Sequence, residues 1–373
     1  AVRPQTNSAL SLMSASNMNS QLDERYSRQI LFAGIGEAGQ RRLLASRIAI
    51  VGCGALGTVL ANLLVRAGVG RIRIIDRDFV ESSNLQRQTL FDESDARDSL
   101  PKAIAAERRL RAINSSIAIE GIVADLGPRN AEELLSSHDL ILDGTDNFET
   151  RHLLNDAAVK LCIPWIYAAA VGSYGVTMTI RPGVTACLAC LLKPENRVDV
   201  SASQENLSNP QSEETCDTVG VLAPAAGVIA SIEAAEAIKL LVEERDRTQS
   251  VETRLVSFDV WTGRHHSIRV ARDPECRVCV QHKFRYLEGK AQPHVTMCGR
   301  DSVQIHERNR NLDLALTAQR LATVASNVRQ NDFLLRFTVA PHEITVFSDG
   351  RAIIKGTRDS AIARSLYARY LGA

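Results

Sequence analysis

The chain has almost no net charge. Its 373 residues include 44 Lys and Arg and 43 Asp and Glu, which gives a net charge of +1 at pH 7. Without an excess of one sign, no general electrostatic field draws the molecule to nucleic acid or to anionic lipid. We therefore expect neither kind of partner, and any recognition of phosphate has to come from a few locally placed groups.

The chain also lacks an uninterrupted apolar run of membrane-spanning length. Its most apolar stretch, residues 219–242, contains Glu233, Glu236 and Lys239, each of which is costly inside a bilayer. This stretch predicts a buried helix rich in small residues. The first 20 residues are polar, rich in Ser and Asn, and without the apolar core of a secretory signal. We interpret residues 1–20 as a disordered tail and expect a cytoplasmic protein.

Because nothing marks the chain as secreted, its cysteines favour a metal site over disulfide bonds. Four of the eight form two Cys-x-x-Cys pairs, a pattern that favours a bound metal ion in a reducing compartment. Four thiolates would fill a tetrahedral Zn²⁺ site and leave no position for chemistry. The pairs are Cys187 with Cys190 and Cys276 with Cys279; residues 191–275 between them exceed a short zinc-ribbon linker, so spacing alone leaves the metal open. Cys53 and Cys162 lie beside or within apolar strands and are predicted core residues.

Short apolar segments alternate with helical patterns over residues 47–171. This alternation predicts a parallel sheet with helices on both faces, and ligands of such sheets bind beyond the carboxyl ends of the strands. Residues 172–271 instead predict antiparallel strands separated by a long polar loop, of the kind that is usually functional or disordered. We therefore predict an α/β fold with a Rossmann-like, doubly wound, mainly parallel sheet that continues into an antiparallel region.

The end of the chain predicts a separate, small C-terminal α+β unit after a linker at residues 280–295. Its predicted strands cover residues 296–306, 333–340 and 343–356, and its predicted helices cover residues 312–325 and 358–371. The predicted organisation is therefore a tail at residues 1–20, a main domain at residues 21–283 and a small domain at residues 296–373.

A glycine-rich turn follows the first predicted strand. Gly52, Gly54 and Gly57 form the pattern G-x-G-x-x-G directly before a helix, where glycine lets the backbone approach phosphate and the helix start supplies amide donors. Asp76 ends the next strand and is placed to accept a hydrogen bond from a ribose hydroxyl. The motif alone is compatible with NAD, FAD or ATP, or with a tight turn that binds nothing.

Charged and amide side chains at the strand ends favour ATP among these ligands. A dinucleotide needs few cations, whereas a triphosphate that releases pyrophosphate needs fixed positive charge on its phosphates and a carboxylate for Mg²⁺. Arginine and lysine in loops are often only solvated, so no single residue decides. The candidate residues are Arg28, Asn84, Arg87, Lys102 and Asp146.

Several ordered motifs connect the chain to a known family. The segments "RYSRQI", "GCGALG", "IIDRDFVESSNLQRQTLF", "LPKA" and "LDGTDN", spread over about residues 22–283, resemble the ThiF/MoeB/HesA family, the bacterial relatives of ubiquitin-activating enzymes. The resemblance implies a Mg-ATP site in which Asp76 holds the ribose and Asn84, Arg87 and Lys102 contact the phosphates. It further implies that Asp146 is the Mg²⁺-linked acid. A homodimer in which Arg28 enters the partner's site, and a structural zinc on the four paired cysteines, are implied as well.

The resemblance also implies the reaction. Members adenylate the C-terminal glycine carboxylate of a small ubiquitin-like sulfur carrier protein of the ThiS or MoaD type, which ends in Gly-Gly. AMP then serves as leaving group for a sulfur donor such as a cysteine desulfurase, in thiamine, molybdopterin or related biosynthesis. Three alternatives stay open: adenylation of a peptide, an NAD-dependent oxidoreductase, and a non-catalytic binding subunit.

Cys216 lies in the long polar loop, where a thiol can be exposed and reactive. The resemblance implies that a cysteine here bonds covalently to the activated carrier in thiamine-branch relatives and is dispensable for adenylation in molybdopterin-branch relatives. An incidental loop thiol is the other interpretation, because Glu213, Glu214 and Asp217 place negative charge beside it and disfavour the thiolate.

Overall fold

The structure is a computed structural model that describes residues 24–193, 219–243, 252–290, 302–306 and 312–372. The contacts within these ranges separate two compact units, a larger one up to Leu287 and a smaller one after it. The predicted tail at residues 1–20 and the loop that carries Cys216 lie outside the described residues.

The larger unit alternates strands and helices as the sequence predicts. In chain order its elements are α1 Ser27–Ile30, α2 Gly36–Ala45, β1 Arg47–Val51, α3 Ala55–Ala67, β2 Arg71–Asp76, a 3₁₀ turn Ser82–Asn84, α4 Glu93–Arg97, α5 Lys102–Ile113, β3 Ala118–Val123, α6 Ala131–Leu135, β4 Leu140–Asp143, α7 Phe148–Leu161, β5 Trp165–Val171, β6 Tyr174–Ile180, α8 Leu188–Leu191, α9 Ala223–Val242, β7 Arg254–Asp259 and β8 Arg264–Arg269.

Eight of these strands form one sheet in the order β3-β2-β1-β4-β5-β6-β7-β8. The first five strands of this order pair in parallel, and β5 through β8 pair antiparallel. The predicted fold class is therefore confirmed. The parallel strands end at one edge of the sheet, which we call the carboxyl edge, and this edge positions the candidate site.

Both faces of the sheet are covered, which explains the continuous apolar run of β1. Ile48 and Ile50 join a core with α3, α5 and α9, whereas Ala49 and Val51 face a second core with α6 and α7. A central parallel strand buried on both sides has no solvent-facing residues to alternate with. The helix α9 is rich in alanine, so it packs closely against α3 and β5. No helix of the described chain is both long enough and apolar enough to span a bilayer.

The prediction that Cys162 is a core residue is wrong. Cys162 follows the last residue of α7 in the left-handed conformation, with φ of 55°, and its side chain is exposed. The buried strand begins only at Trp165, so the apolar pattern around Cys162 belongs to two elements and the turn between them. Cys53 is fully buried, as predicted.

The smaller unit is α+β and contains an antiparallel five-stranded sheet. Its elements are β9 Ser302–His306, α10 Leu314–Leu321, β10 Ser326–Gln330, β11 Leu334–Val339, β12 His342–Phe347, β13 Arg351–Lys355 and α11 Ser360–Leu371, and the strand order is β10-β11-β12-β13-β9. The predicted single strand over residues 343–356 is a hairpin. The strand β10 was not predicted, because it is a polar strand at the edge of the sheet without apolar alternation.

Candidate functional site

The glycine turn after β1 is held at the carboxyl edge by close backbone contacts. Gly52 has φ of 90°, and a side chain there would lie 2.4 Å from the carbonyl oxygen of Gly144, at the end of β4. A side chain on Gly57 would lie 2.0 Å from the carbonyl oxygen of Gly52. Glycine is therefore required where the two strand ends and the start of α3 meet.

The first turn of α3 is suited to bind an anion. Gly54 directly precedes the helix and has no side chain to cap its first amides. A Cβ atom placed on Gly54 would meet only the Nε2 atom of Gln88, at 3.8 Å, so the space in front of the helix is open to a ligand. Amide groups at the start of a helix are a common phosphate site.

Asp76 is fixed beside this turn at the end of β2. Its two carboxylate oxygens accept hydrogen bonds from the backbone amides of Cys53 at 2.6 Å and of Asp78 at 2.7 Å. Burial raises the pKa of Asp76 above its ordinary value, although the nearby Lys102 opposes the change. The carboxylate is thus held at the position where a nucleotide bound to the glycine turn would present its ribose.

Lys102 begins α5 and is buried among carboxylates. Its Nζ atom lies 3.3 Å from a carboxylate oxygen of Asp78. Burial lowers the pKa of Lys102, but the negative charges of Asp78, Asp76 and Asp146 outweigh it, so the pKa lies above the usual value. The ammonium group is therefore a permanent positive charge at the carboxyl edge. The sequence analysis did not select Asp78.

The 3₁₀ turn between β2 and α4 carries the predicted amide and arginine. The buried side chain of Asn84 accepts a hydrogen bond from the amide of Glu81 at 3.0 Å, so this residue also shapes its own loop. The partly exposed Arg87 donates to the carbonyl oxygen of Ser83 at 2.8 Å. Gln88 is buried beside the glycine turn, and its side-chain oxygen has no hydrogen-bond partner among the described residues. Gln88 was missed, because an isolated glutamine in a loop carries no pattern.

Asp146 is exposed in the loop between β4 and α7. Asn147 caps α7 by accepting from the amide of Thr150 at 2.9 Å, and its side-chain amide lies 3.4 Å from a carboxylate oxygen of Asp146. An exposed carboxylate in such a loop is a suitable ligand for Mg²⁺, because a protein-bound Mg²⁺ ion keeps several of its water molecules.

A buried arginine that the sequence analysis missed ties this loop to the sheet. Arg151 forms an ion pair with Asp143 at 3.2 Å and donates to the carbonyl oxygens of Thr145 at 2.7 Å and Ala168 at 3.2 Å. One guanidinium group thus connects the end of β4, the loop that carries Asp146 and the strand β5. A buried arginine satisfied by three acceptors in this way holds a loop in one conformation.

A buried carboxyl group from α9 lies against the same loop. Glu233 is fully buried and accepts from the amide of Asp143 at 3.1 Å, while its second oxygen has no partner among the described residues. Burial and the neighbouring Asp143 raise the pKa of Glu233 well above its ordinary value. Burial and the like charge of Asp143 thus favour the neutral form of Glu233 beneath the candidate site.

Among the described residues that were predicted for the nucleotide site, Arg28 lies away from the carboxyl edge. It is exposed in α1, whose neighbours Tyr26 and Gln29 contact Asn114 at 3.0 Å and the carbonyl oxygen of Ala67 at 2.8 Å. Ala67 ends α3, whereas the glycine turn lies at its start. Because a helix of 13 residues is about 20 Å long, Arg28 lies far from the glycine turn of its own chain.

The four paired cysteines form a compact buried cluster. Their sulfur atoms lie within 4.8 Å of one another, with 3.8 Å between Cys187 and Cys190 and 3.6 Å in both pairs that join Cys187 to Cys276 and Cys190 to Cys279. Thiolates 2.3 Å from a tetrahedral Zn²⁺ would be about 3.8 Å apart. The amide of Asp273 lies 3.5 Å from the sulfur of Cys190, and such contacts orient metal ligands. The sulfur positions therefore fit a zinc ion.

The protein therefore combines a doubly wound α/β sheet, a glycine turn at the carboxyl edge and a buried cluster of four cysteines. Residues 26–278 match the model of the ThiF family, and the chain belongs to that family. It is 43% identical over 352 residues to the sulfur carrier protein ThiS adenylyltransferase of Bacillus subtilis, covering 93% of this chain and 99% of that relative. Among solved structures, Escherichia coli MccB with ATP has 26% identity and a TM-score of 0.57, covering 70% of this chain and 75% of MccB.

Two other relatives match a smaller share of the chain. The Escherichia coli ThiS adenylyltransferase is 37% identical over 263 residues, covering 70% of this chain and 97% of the relative. The Escherichia coli molybdopterin-synthase adenylyltransferase is 36% identical over 260 residues, covering 69% of this chain and 96% of the relative. These relatives therefore cover about 70% of this chain, whereas the Bacillus subtilis relative covers 93% of it.

Proposed function

We propose that the protein is an ATP-dependent adenylyltransferase that activates the C-terminal glycine carboxylate of a ubiquitin-like sulfur carrier protein of the ThiS type. The similarity to the Bacillus subtilis relative over nearly the whole chain carries this proposal. A carboxylate is a poor electrophile. Attack of a carboxylate oxygen on the α-phosphorus of ATP releases pyrophosphate and leaves a reactive acyl-adenylate.

The carboxyl edge can perform each part of this step. The glycine turn and the first amides of α3 bind phosphate, and Asp76 accepts from the ribose. Lys102 and Arg87, with Asn84 beside them, neutralise charge that accumulates on the departing pyrophosphate. Asp146 would hold Mg²⁺, which would supply positive charge beside the phosphates. The buried ammonium of Lys102, kept protonated by its three carboxylates, supports this assignment.

We assign this activity to residues 21–283 and regard residues 296–373 as an appended domain. The Escherichia coli relatives carry the name adenylyltransferase although they match only about 70% of this chain. We also propose that the protein is cytoplasmic and that the cysteine cluster holds one structural Zn²⁺, since a tetrathiolate site needs reduced thiols.

A homodimer would complete the site. The distance between Arg28 and its own glycine turn supports an arrangement in which Arg28 of one protomer serves the site of the other. Arginine delivered in this way would add positive charge next to the phosphates.

The acyl-adenylate has to be consumed by a sulfur nucleophile, so we propose a persulfide donor, such as a cysteine desulfurase, as a further partner. After adenylation, the thiolate of Cys216 would attack the activated carbonyl carbon of the carrier and form a thioester, with AMP as the leaving group. The Cys216→Ser variant should then keep pyrophosphate exchange but lose any conjugate with the carrier that added thiol cleaves. Loss of exchange as well would instead place Cys216 in substrate binding or folding.

Carrier-dependent exchange of pyrophosphate into ATP tests the proposal. We expect exchange with the ThiS carrier of Bacillus subtilis and none when its last two glycines are removed. Exchange with a short peptide instead would favour the peptide alternative. Tighter binding of NAD than of ATP would overturn the proposal in favour of an oxidoreductase. Absence of all nucleotide binding would favour a non-catalytic subunit.

A further inference from the structure

A glycine interrupts the apolar face of the strand β3. Ile119 and Val123 pack into the core that β3 shares with α5, and Gly121 lies between them on the same face without a side chain. Glycine weakens the interior of a strand, because it has no side chain to pack and loses more conformational entropy than other residues. The φ angle of Gly121 is not positive, so the backbone conformation does not require glycine there. The reason for glycine therefore lies in what surrounds it.

The first turn of α5 approaches β3 at this glycine. A Cβ atom on Gly121 would lie 2.4 Å from the carbonyl oxygen of Ala103 and 2.9 Å from its carbonyl carbon. Because non-bonded atoms pack at about 3.5 Å, the helix would have to move by about 1 Å to admit even a methyl group. Gly121 therefore sets how closely the start of α5 lies on the sheet.

Two side chains of α5 attach the helix to the same part of β3. Glu107 accepts a hydrogen bond from the amide of Gly121 at 2.8 Å, and Arg111 donates to the carbonyl oxygen of Ile119 at 3.0 Å. Glu107 and Arg111 also form an ion pair with each other at 2.7 Å. The position of α5 along β3 is therefore fixed by polar contacts as well as by apolar packing.

The contact at Gly121 is adjacent to a residue of the candidate site. Lys102 directly precedes Ala103, and its backbone amide donates to the carbonyl oxygen of Asp78 at 2.9 Å. Lys102 is only 8% exposed, and its Nζ atom lies 3.3 Å from a carboxylate oxygen of Asp78. A side chain that is closely packed in this way cannot reorient freely when its backbone moves. A shift of the first turn of α5 would therefore displace the ammonium group.

We propose that Gly121 is a positioning residue of the nucleotide site, because it lets α5 lie close enough to β3 to hold the ammonium group of Lys102 against the phosphates. Glu107 shares this role, since it attaches α5 to the amide of the same glycine. Both residues act through Lys102 and not on the nucleotide itself. This assignment rests on the proposed function and adds to it the residues that determine where its buried cation stands.

The substitution Gly121→Ala tests this role. We expect weaker ATP binding and a pyrophosphate exchange rate reduced by up to about 10²-fold, because a shift of about 1 Å misplaces a group that contacts the phosphates. Gly127→Ala is the matched control and should match the wild type, since a Cβ atom there would meet nothing within 4 Å. Unchanged ATP affinity and exchange in Gly121→Ala overturn the proposal.

A second control separates positioning from loss of stability. Leu110 is fully buried in α5, eight residues beyond Lys102 and therefore about 12 Å farther along the helix. Leu110→Ala should lower the unfolding temperature through the cavity that it leaves, whereas ATP affinity should stay that of the wild type. If Leu110→Ala weakened ATP binding as much as Gly121→Ala does, the effect of the glycine would be one of stability alone and the proposal would fail.

A double-mutant cycle identifies the residue through which Gly121 acts. Lys102→Ala alone should weaken ATP binding, and the addition of Gly121→Ala should weaken it no further, because the group that the glycine positions is already absent. Effects that multiply would contradict the proposal. If Gly121→Ala does not fold, Glu107→Ala replaces it in the cycle. Glu107→Gln should then restore ATP affinity, since its side-chain oxygen can still accept from the amide of Gly121.

Labelling of lysine amines, followed by mass spectrometry, reports the position of Lys102 without nucleotide. Lys102 should react slowly in the wild type and faster in Gly121→Ala, whereas the exposed Lys239 should react equally in both. If the wild type binds ATP without carrier-dependent exchange, the proposed function fails, and labelling and ATP affinity still decide the role of Gly121. If exchange occurs but labelling and ATP affinity of Gly121→Ala match the wild type, the positioning role fails and the proposed function stands. A wild type that binds no ATP overturns both.

Discussion

At the scale of single residues, the candidate site separates an exposed acid from a buried network that supports it. Asp146 faces solvent, where a metal ion and a nucleotide can reach it, whereas Arg151 and Asp143 behind it are buried. Substitutions of the exposed acid should therefore change the rate of exchange. Substitutions in the buried network behind it should mainly lower the free energy of unfolding.

Asp146→Asn should reduce pyrophosphate exchange by about 10²–10³-fold. Mg²⁺ would lose its carboxylate ligand, so it would no longer be held where it offsets the charge of the departing pyrophosphate. The thermal unfolding temperature should stay that of the wild type, since the side chain is exposed. Glu149→Gln, an exposed acid three residues away, is the control and should leave exchange unchanged. Full exchange activity in Asp146→Asn would remove this residue from the site.

The substitution Glu233→Gln should make the free energy of unfolding less sensitive to rising pH. The folded-state pKa of Glu233 is raised above its ordinary value of 4.5, so the folded state holds this proton more tightly than the unfolded state. The contribution of the neutral acid to the free energy of unfolding is fully present below pH 4.5. It is lost as pH rises through the folded-state pKa, by up to about 1.4 kcal/mol per pH unit.

Urea unfolding between pH 4 and pH 8 measures this difference. The stability of Glu233→Gln relative to the wild type should increase across that range. A constant difference between Glu233→Gln and the wild type would mean that Glu233 is ionised in the folded protein.

At the scale of elements, the cysteine cluster joins the segment at α8 to the chain that follows β8. Leu188, beside Cys187, donates to Asn155 at 2.9 Å, and Tyr286 donates to Asp156 at 2.9 Å, so both ends of the cluster are also attached to α7. The cluster therefore closes residues 191–275 into a loop without taking part in the carboxyl edge.

Cys276→Ser should lose the metal and destabilise the fold before it weakens ATP binding. Metal analysis should give about one zinc per wild-type chain, and the variant should lose at least about 3 kcal/mol of stability, or roughly 10 °C in unfolding temperature. Cys162→Ser is the control, because Cys162 is exposed and lies outside the cluster. If the wild-type protein without metal were as stable as the protein with zinc, the assignment would be contradicted.

The elements also show where sequence reasoning succeeded. Gly52, Asp76 and Asp146 were placed at one edge because the ends of parallel strands meet there, and backbone geometry enforces that rule. Arg151 could not be found in the same way. On a helix it has the pattern of a solvated side chain, and its burial depends on acceptors in β4, β5 and the loop between β4 and α7.

Two further misses have different physical reasons. The local pattern placed Cys162 in the core, yet the direction of its side chain is set by a helix-ending turn. The strand β10 has no apolar face that a sequence pattern could reveal, and its pairing with β11 makes it a strand.

At the scale of the whole molecule, the position of Arg28 requires a second chain if this residue is to reach a nucleotide. Mixing Arg28→Ala with Asp146→Asn subunits should restore exchange, because each mixed dimer holds one site with both residues intact. Random reassortment makes half of the dimers mixed, so about a quarter of the wild-type activity should return. Exchange that stays absent although mixed dimers form would exclude sharing of Arg28 between subunits.

The orientation of the helices explains how a molecule with a net charge of +1 can attract a triphosphate. Helices α3, α5, α7 and α9 all begin near the carboxyl edge, after Gly54, Pro101, Asn147 and Leu222. Aligned peptide groups give each helix start about half a positive elementary charge. This edge is therefore a positive pole built from backbone, which does not titrate between acid and alkaline pH. Part of the attraction for phosphate thus persists after any one side-chain substitution, and a residual nucleotide affinity in site variants is a property of the fold.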